Sequence, residues 1–509
     1  MSGRDVKTAR HHAAPAVAVL AALAALAVAT HWGAFAVGGS DSYGYVSQAE
    51  MWAQGRMSVL VPRALSMPWP NAESTAIPLG YRLSRKTPGA LVPVYPPGLP
   101  LVMAAFRTLG GREGPFFVVP VLGALSVWLT FLLGRSLAGP AAGALAAVLL
   151  AASPIFLYQV TQPMSDVPAM AWWLAAIVLL VRPTDLRAAA GGAVASLAIM
   201  TRPNLAPLSG VVAGLLLAQC RGMGWRLACR RLALFGLAAL PACGALAWIN
   251  TVWYGAWYRS GYGALDRLFS ASHVPLNLRR YAGWLVDTHT PLVLAGLLTP
   301  ALLKRSGLAR PALVWTCWAF ALGVFAIYLP YTPWDAWWFI RFLLPGLPPL
   351  LVLGVAGGLA AASAVAPRRS TCVAAVAVTA VAAFFVWTAA DRGVFQLAAH
   401  ARRFPDAGGW IARETPPGSV VFAEEHIGSV RYYADRLTIG WIGFAPEWLD
   451  YAVDALRARQ VPVYAVFDGE EERGFRARFR GTRTVAHLDD GSVARFRAVR
   501  IYELRAAGP

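Results

Sequence analysis

The stretch GGSDSYGYVSQAEMWAQG, from Gly38 to Gly55, follows directly on the first long apolar run of the chain. Its leading charge, Asp41, is the first acidic residue after that run. A carboxylate placed where a hydrophobic helix meets water is either a solvated loop residue or a reactive group held at a membrane surface. The rest of the sequence has to decide between these two interpretations.

The composition is that of a membrane protein. The chain has 509 residues, of which 57% are hydrophobic and 14% charged, and its mean hydropathy is +0.51. A soluble domain carries about 25% charged residues. The 20 Trp and 16 Tyr suit a protein with two membrane–water interfaces. The net charge of +19 lies mostly in short loops between apolar runs, so we do not expect a nucleic-acid partner.

Apolar runs near the length that crosses about 30 Å of hydrocarbon predict about eleven transmembrane helices. The first run is longer than the apolar core of a signal peptide, which favours an uncleaved span. The predicted spans are residues 13–37, 115–134, 141–157, 167–181, 188–201, 204–220, 232–253, 290–303, 312–330, 343–364 and 371–390.

Basic residues orient these spans. Every alternate short connection is rich in Arg or Lys, which predicts a cytoplasmic N-terminus and a multi-pass protein of the cell membrane. Two long loops, 38–114 and 254–289, then lie on the outer side. An odd number of spans also places the C-terminal tail outside the cytoplasm.

The composition changes after residue 390, where charged residues become frequent. Residues 419–423 and 462–467 have the pattern of buried strands, and residues 447–459 that of an amphipathic helix. Residues 493–504 predict a strand or hairpin. The sequence therefore predicts two domains, a helical membrane domain over 1–390 and a small extracytoplasmic α/β domain over 391–509.

Few charged residues fall within the membrane or at its interface on the predicted outer side, and each has an ordinary explanation. The arginines could reach lipid headgroups, Asp166 could cap a helix, and the loop cations could simply be solvated. Together, two carboxylates and several cations on one face suggest a site for an anionic, membrane-held substrate. The residues concerned are Asp41, Asp166, Arg202, Arg341, Arg85 and Lys86.

Four short motifs carry a resemblance to a known family. They are Asp41 with Tyr45, Ala49 and Gly55; YPPGLP at 95–100; SP at 153–154 followed by QPMSD at 162–166; and RFLLP at 341–345. In order and spacing the chain resembles the GT-C superfamily of polytopic glycosyltransferases, near the protein O-mannosyltransferases and the lipid A aminoarabinose transferases. Two positions depart from the family pattern: Asp41 is followed by Ser42 rather than a second acid, and Phe342 replaces the usual Tyr.

The resemblance implies transfer of a hexosyl or pentosyl group from a polyprenyl-phosphate donor to an acceptor hydroxyl, with inversion at the anomeric carbon. Asp41 is then the candidate base, and Asp166 a second catalytic carboxylate that orients an Arg or the acceptor, or assists a metal. Arg341, Arg202, Lys86 and Arg85 are candidates for holding the donor phosphate. Tyr45 and Tyr95 are expected to support Asp41.

The resemblance leaves other properties open. Some GT-C members use a divalent cation and others do not, and the sequence has no His cluster that would require one. The acceptor could be a glycan, a lipid or a protein, and membrane lipid is an expected partner. The competing interpretations are a flippase or transporter for a lipid-linked or anionic solute, and a lipid-linked glycan ligase or polymerase. His273 and His289 are expected to be surface residues of the second long loop.

Overall fold

The computed structural model describes residues 3–61, 64, 66–301 and 310–505, and it is mostly helical. Over the first 391 residues the helices are Gly3–His31, Asp41–Ala53, Ala72–Thr75, Gly98–Gly110, Gly114–Ala138, Pro140–Ala152, Pro154–Val160, Asp166–Leu180, Asp185–Thr201, Leu208–Gln219, Trp225–Tyr254, Leu265–Leu268, Val274–His289, Leu292–Ala295, Pro311–Tyr328, Leu347–Val365 and Ser370–Asp391. A 3-10 helix, Trp337–Gly346, leads directly into Leu347–Val365.

Six of the described helical segments are long and apolar enough to cross a membrane, or seven if one bent pair is counted as a span. The bent pair is Pro140–Ala152 and Pro154–Val160, whose axes differ by 63°. Its bend falls at Pro154, because proline lacks the N–H that would continue the first helix. The six segments are Ala13–His31, Gly98–Ala138, Trp225–Tyr254, Pro311–Tyr328, Trp337–Val365 and Ser370–Asp391.

The predicted count of about eleven spans is therefore not confirmed. Helices do form at the other predicted positions, but they are short: Asp166–Leu180 has 15 residues and Leu208–Gln219 has 12. At 1.5 Å per residue these rise only about 22 and 18 Å. The end of the predicted span 290–303 lies outside the described residues.

The first long loop folds into defined structure. It contains a small antiparallel sheet of order β1-β3-β2, formed by β1 (Val59–Leu60), β2 (Tyr81–Leu83) and β3 (Ala90–Pro93). The helix Asp41–Ala53 precedes this sheet and the helix Gly98–Gly110 follows it, and the two helices pack against each other. The loop thus positions Asp41 at the start of a packed helix.

The tail contains a five-stranded sheet of order β5-β4-β6-β8-β7. Strands β5 (Leu437–Gly440), β4 (Val420–Ala423) and β6 (Val463–Asp468) are parallel. Strand β8 (Val499–Glu503) pairs with β6 in the antiparallel direction, and β7 (Ala494–Phe496) pairs with β8 in the antiparallel direction. These strands lie where the sequence predicted strands and a hairpin, apart from β5. The tail helices are Leu397–Ala401, Arg403–Glu414, Ile427–Ala434, Leu449–Ala458, Glu471–Arg478 and Arg483–Ala486.

The tail is docked on the first long loop. Trp69 of the loop packs edge-to-face on Phe444 of the tail, with ring centroids 5.4 Å apart, and lies in the same hydrophobic cluster as the tail strands. On the other side, Gly428 lies so close to Tyr43 that an added Cβ would meet its ring at 2.4 Å. The sheet of the tail is consequently held next to the helix that begins at Asp41.

Candidate active site

Asp41 lies at the first position of its helix and is held by two side chains from distant parts of the chain. Its Oδ2 accepts hydrogen bonds from Nη1 and Nη2 of Arg341, both at 3.2 Å, across 300 residues of sequence. Its Oδ1 accepts a hydrogen bond of 2.5 Å from the Tyr95 hydroxyl. Tyr95 can come this close because Gly44 has no side chain: an added Cβ there would meet the Tyr95 ring at 2.3 Å. The carboxylate is 30% exposed, so it remains open to a ligand.

A second ion pair joins Asp166 to Arg202. Nη2 of Arg202 donates to Oδ1 of Asp166 at 2.6 Å, and the two side chains are only 11% and 1% exposed. The other guanidinium nitrogens donate to Tyr328 Oη at 2.8 Å and to Ser165 Oγ at 3.3 Å. Just before Arg202, the end of the helix Asp185–Thr201 contacts the start of Gly98–Gly110, where Gly98 leaves no room for a side chain. This arginine is fully engaged by protein groups, as a buried charge requires.

The two arginines share one aromatic ring. The guanidinium of Arg341 lies 5.4 Å from the centroid of Phe342, and that of Arg202 lies 5.7 Å from it. Phe342 is stacked on Tyr328 with centroids 5.1 Å apart. An aromatic face stabilises nearby cations. The Phe342 ring therefore stabilises both guanidinium groups but carries no charge that would neutralise them. Phe342 lacks the hydroxyl of the Tyr in the family pattern. The neighbouring Tyr328 does carry a hydroxyl, which accepts a hydrogen bond from Arg202.

Both ion pairs open into one cavity of about 1130 Å³. Asp41, Asp166, Arg202 and Arg341 all line it, so the structure brings together four residues that sequence reasoning had grouped on one face. Tyr45 and Tyr95 line it as well: their rings are 4.6 Å apart, and the Tyr45 hydroxyl donates to Ser165 at 2.9 Å. The cavity thus brings both arginine–carboxylate ion pairs into one partly enclosed space.

Arg85 and Lys86 are placed elsewhere. Both are exposed in the connection between β2 and β3, and neither lines the cavity. Their grouping with the other cations followed from loop position alone, because a 77-residue loop gives no sequence signal for which of its charges turns inward. A role for them at the donor phosphate stays a prediction.

A divalent cation in the cavity stays a prediction. Asp41 and Asp166 each already hold an arginine, and a guanidinium beside a carboxylate opposes the binding of a second cation. Across the described ranges, no group of three or more His, Cys, Asp or Glu residues could hold a metal ion.

Sequence reasoning missed several residues of the site. Ser165 was part of a motif but was given no role, Tyr328 ends an apolar helix, and Glu425 reaches the cavity from the tail. The expectation that His289 is a surface residue was wrong. It is fully buried, with its two ring nitrogens 2.7 Å from the hydroxyls of Ser153 and Thr288. An isolated His in an aromatic loop offers no local sign of such burial.

Comparison with known proteins gives the class of this fold. Residues 94–248 match the model of the family described as dolichyl-phosphate-mannose-protein mannosyltransferase. The fold is similar to that of ArnT from Cupriavidus metallidurans bound to undecaprenyl phosphate, with a TM-score of 0.56 and 16% identity over 96% of this chain and 99% of that one. No curated protein sequence matches the chain.

Two other solved structures share the fold at lower coverage of their own chains. The archaeal oligosaccharyltransferase AglB from Archaeoglobus fulgidus, in complex with an inhibitory peptide and a dolichol-phosphate, has a TM-score of 0.53 and 12% identity over 90% of this chain and 69% of that one. A mutant of the arabinofuranosyltransferase AftD from Mycobacteria has a TM-score of 0.53 and 13% identity over 96% of this chain and 41% of that one. The family match and the shared fold confirm the resemblance of this chain to the GT-C glycosyltransferase superfamily.

Proposed function

We propose that this protein is an inverting glycosyltransferase that moves a hexosyl or pentosyl group from a polyprenyl-phosphate donor to an acceptor hydroxyl on the outer face of the cell membrane. The observation that carries the proposal is the cavity in which Arg341–Asp41 and Arg202–Asp166 meet on a GT-C fold. Cations for a leaving phosphate and a carboxylate for an attacking hydroxyl are the two requirements of this reaction.

Arg341 is the better placed of the two arginines to bind the donor phosphate. Arg202 already uses all three guanidinium nitrogens on protein groups. In the described part of the chain, Nε of Arg341 is buried without a hydrogen-bond partner, and its two Nη atoms share one oxygen of Asp41. A phosphate could therefore replace Asp41 and bind the Arg341 guanidinium through two hydrogen bonds. Arg202 adds a second fixed positive charge, and Asp166 positions it.

Donor binding prepares Asp41 for proton transfer in this scheme. Once the phosphate draws Arg341 away, Oδ2 of Asp41 is free to accept the proton of the acceptor hydroxyl. The acceptor oxygen bonds to the anomeric carbon as the bond from that carbon to the phosphate oxygen breaks. The electron pair leaves with polyprenyl phosphate, whose charge the arginines stabilise. Attack from the side opposite the leaving group inverts the configuration.

The cavity also has a wall suited to a lipid chain. Cys243, Leu246, Ala247 and Asn250 line it, and their spacing places them on one face of the helix Trp225–Tyr254. That helix is a candidate membrane span, and the rest of the chain covers little of its surface. A polyprenyl tail could pass from the cavity into lipid along this face. The proposal includes a cytoplasmic N-terminus, a membrane catalytic unit over 1–390 and an extracytoplasmic unit over 391–509.

The test uses the purified full-length protein in lipid nanodiscs and proteoliposomes with labelled undecaprenyl-phosphate mannose and undecaprenyl-phosphate arabinose. We expect release of undecaprenyl phosphate together with labelled product. Asp41→Asn should lower the rate constant by about 10²- to 10⁴-fold, the usual contribution of a general base, while binding of undecaprenyl phosphate persists.

Two outcomes would contradict the proposal. Intact donor crossing the bilayer without release of undecaprenyl phosphate would identify a flippase. Normal turnover by Asp41→Asn, with fold and expression unchanged, would remove Asp41 as the base.

A further inference from the structure

Glu425 is a carboxylate of the tail that reaches the catalytic cavity. It lies two residues after the end of β4 and lines the cavity together with Asp41 and Asp166. Those two carboxylates are engaged by Arg341 and Arg202. Among the residues that the structure describes, the Glu425 side chain has no hydrogen bond and no ion pair within 4 Å. It is therefore the acidic side chain of the cavity that is free to bind a ligand.

The position of Glu425 relative to Asp41 is fixed from two sides. Its backbone N–H donates to Oε1 of Glu471 at 2.8 Å, and the N–H of Asp468, at the end of β6, donates to Oε2 of the same residue at 2.8 Å. Glu471 thus ties together the ends of two parallel strands. On the cavity side, Oε1 of Glu425 is 3.0 Å from where a Cβ on Gly39 would lie, and Gly39 is two residues from Asp41.

The tail that carries Glu425 is anchored on the segment that carries Asp41. The backbone N–H of Val37 donates to the Tyr433 hydroxyl at 2.8 Å, and the Tyr432 hydroxyl donates to Glu50 at 2.9 Å. These contacts hold the tail at both ends of the segment. The residue after Asp41 is Ser42, which carries no carboxylate. The second carboxylate on this side of the cavity is that of Glu425 in the tail. Burial raises the pKa of Glu425, and the neighbouring Arg403 counteracts part of that rise.

We propose that Glu425 binds the acceptor substrate, which is an uncharged sugar, by accepting a hydrogen bond from one of its hydroxyl groups and so orienting the attacking hydroxyl toward Asp41. This inference rests on the proposed function. A free carboxylate accepts hydrogen bonds from hydroxyls and repels an anionic acceptor. Exposed aromatic rings line the same cavity and offer flat apolar surfaces for the C–H face of a sugar ring; they belong to Trp257, Tyr258, Tyr262 and Trp334.

The experiment measures how labelled donor is partitioned between water and a sugar acceptor. Full-length protein in nanodiscs receives labelled undecaprenyl-phosphate mannose or arabinose, with n-octyl mannoside, glucoside and galactoside as acceptor probes. Octyl glycoside product and free labelled sugar are quantified separately. Glu425→Ala should lower the ratio of transfer to hydrolysis by about 10- to 100-fold, as expected for loss of a hydrogen bond to a charged group. Hydrolysis of the donor should change less than about threefold.

Glu424→Ala is the matched control. Glu424 is the adjacent carboxylate, its Oε2 accepts the N–H of Ile442 at 3.4 Å, and it does not line the cavity. Equal partition ratios in the two variants would overturn the role of Glu425. Parallel loss of hydrolysis and transfer in Glu425→Ala would also overturn it, because the residue would then act on the donor or on the fold.

Measurements on the wild-type protein distinguish a failure of this inference from a failure of the proposed function on which it rests. Donor hydrolysis without transfer to any glycoside would overturn the sugar acceptor and leave donor cleavage standing. If the wild type consumes neither donor, both the proposed function and this inference fail.

Discussion

Replacing Arg341 with alanine removes the guanidinium that we assign to the donor phosphate and leaves Asp41 without its ion-pair partner. The Arg341 side chain is 15% exposed, so its charge acts in a partly desolvated site. Two unit charges 4 Å apart interact by about 4 kcal/mol at an effective dielectric constant near 20. Part of this is offset, because Arg341 must give up Asp41 to bind the phosphate. We expect a net loss of about 2–4 kcal/mol, or roughly 30- to 1000-fold in affinity.

Undecaprenyl phosphate is the appropriate probe because it carries the phosphate and the lipid but no sugar. Its dissociation constant should be measured for wild type and Arg341→Ala in nanodiscs, where turnover does not complicate the result. In Arg341→Ala the negative charge of Asp41 also faces the incoming phosphate. The double variant with Asp41→Asn should therefore recover part of the lost affinity, which a double-mutant cycle measures directly.

Arg85→Ala and Lys86→Ala are the matched controls, since both residues are exposed cations outside the cavity lining. We expect less than about a twofold change in affinity for either variant. An unchanged dissociation constant in Arg341→Ala would refute the assignment of the phosphate to this residue. A large loss in Lys86→Ala would instead extend the phosphate site to the loop between β2 and β3.

Two further predictions concern stability. Asp166→Asn leaves Arg202 as a buried charge without its carboxylate, so we expect a loss of about 3–5 kcal/mol and a lower thermal midpoint; an unchanged midpoint would contradict the importance of this pair. Burial raises the pKa of Glu471 from 4.5 to about 7, against the opposing effect of its two backbone hydrogen bonds. A raised folded-state pKa gives stability that is fully present below the unfolded pKa and is lost as the pH rises through about 7. Hydrogen exchange in the tail, corrected for intrinsic rates, should show about 2 kcal/mol less protection at pH 8 than at pH 5. This difference should shrink in Glu471→Gln, where only the raised pKa values of neighbours such as Glu425 remain, and persist in the exposed neighbour variant Glu470→Gln.

Much of the tail could be predicted from local patterns. Strands β4 and β6 and the helix Leu449–Ala458 begin and end within two residues of runs whose apolar spacing already indicated them. Strand β5, Leu437–Gly440, was missed because its sequence LTIG is not a continuous apolar run like the VVFA of β4. The membrane spans were harder to predict, because a segment buried in lipid and a segment buried in protein both have an apolar sequence. Helices such as Asp166–Leu180 are apolar because other helices cover them.

By itself, the sequence determined the membrane class of the protein and the identity of four polar residues of the cavity. Asp41, Asp166, Arg202 and Arg341 stand out because charges near apolar spans are costly unless they have a function. The tertiary structure alone decided which charges meet. Arg341 binds Asp41 across 300 residues, and Glu425 reaches the same cavity from the tail, because the packing of Gly44 on Tyr95 and of Gly428 on Tyr43 sets the distances. Such contacts depend on the relative placement of whole elements, which no local pattern of residues encodes.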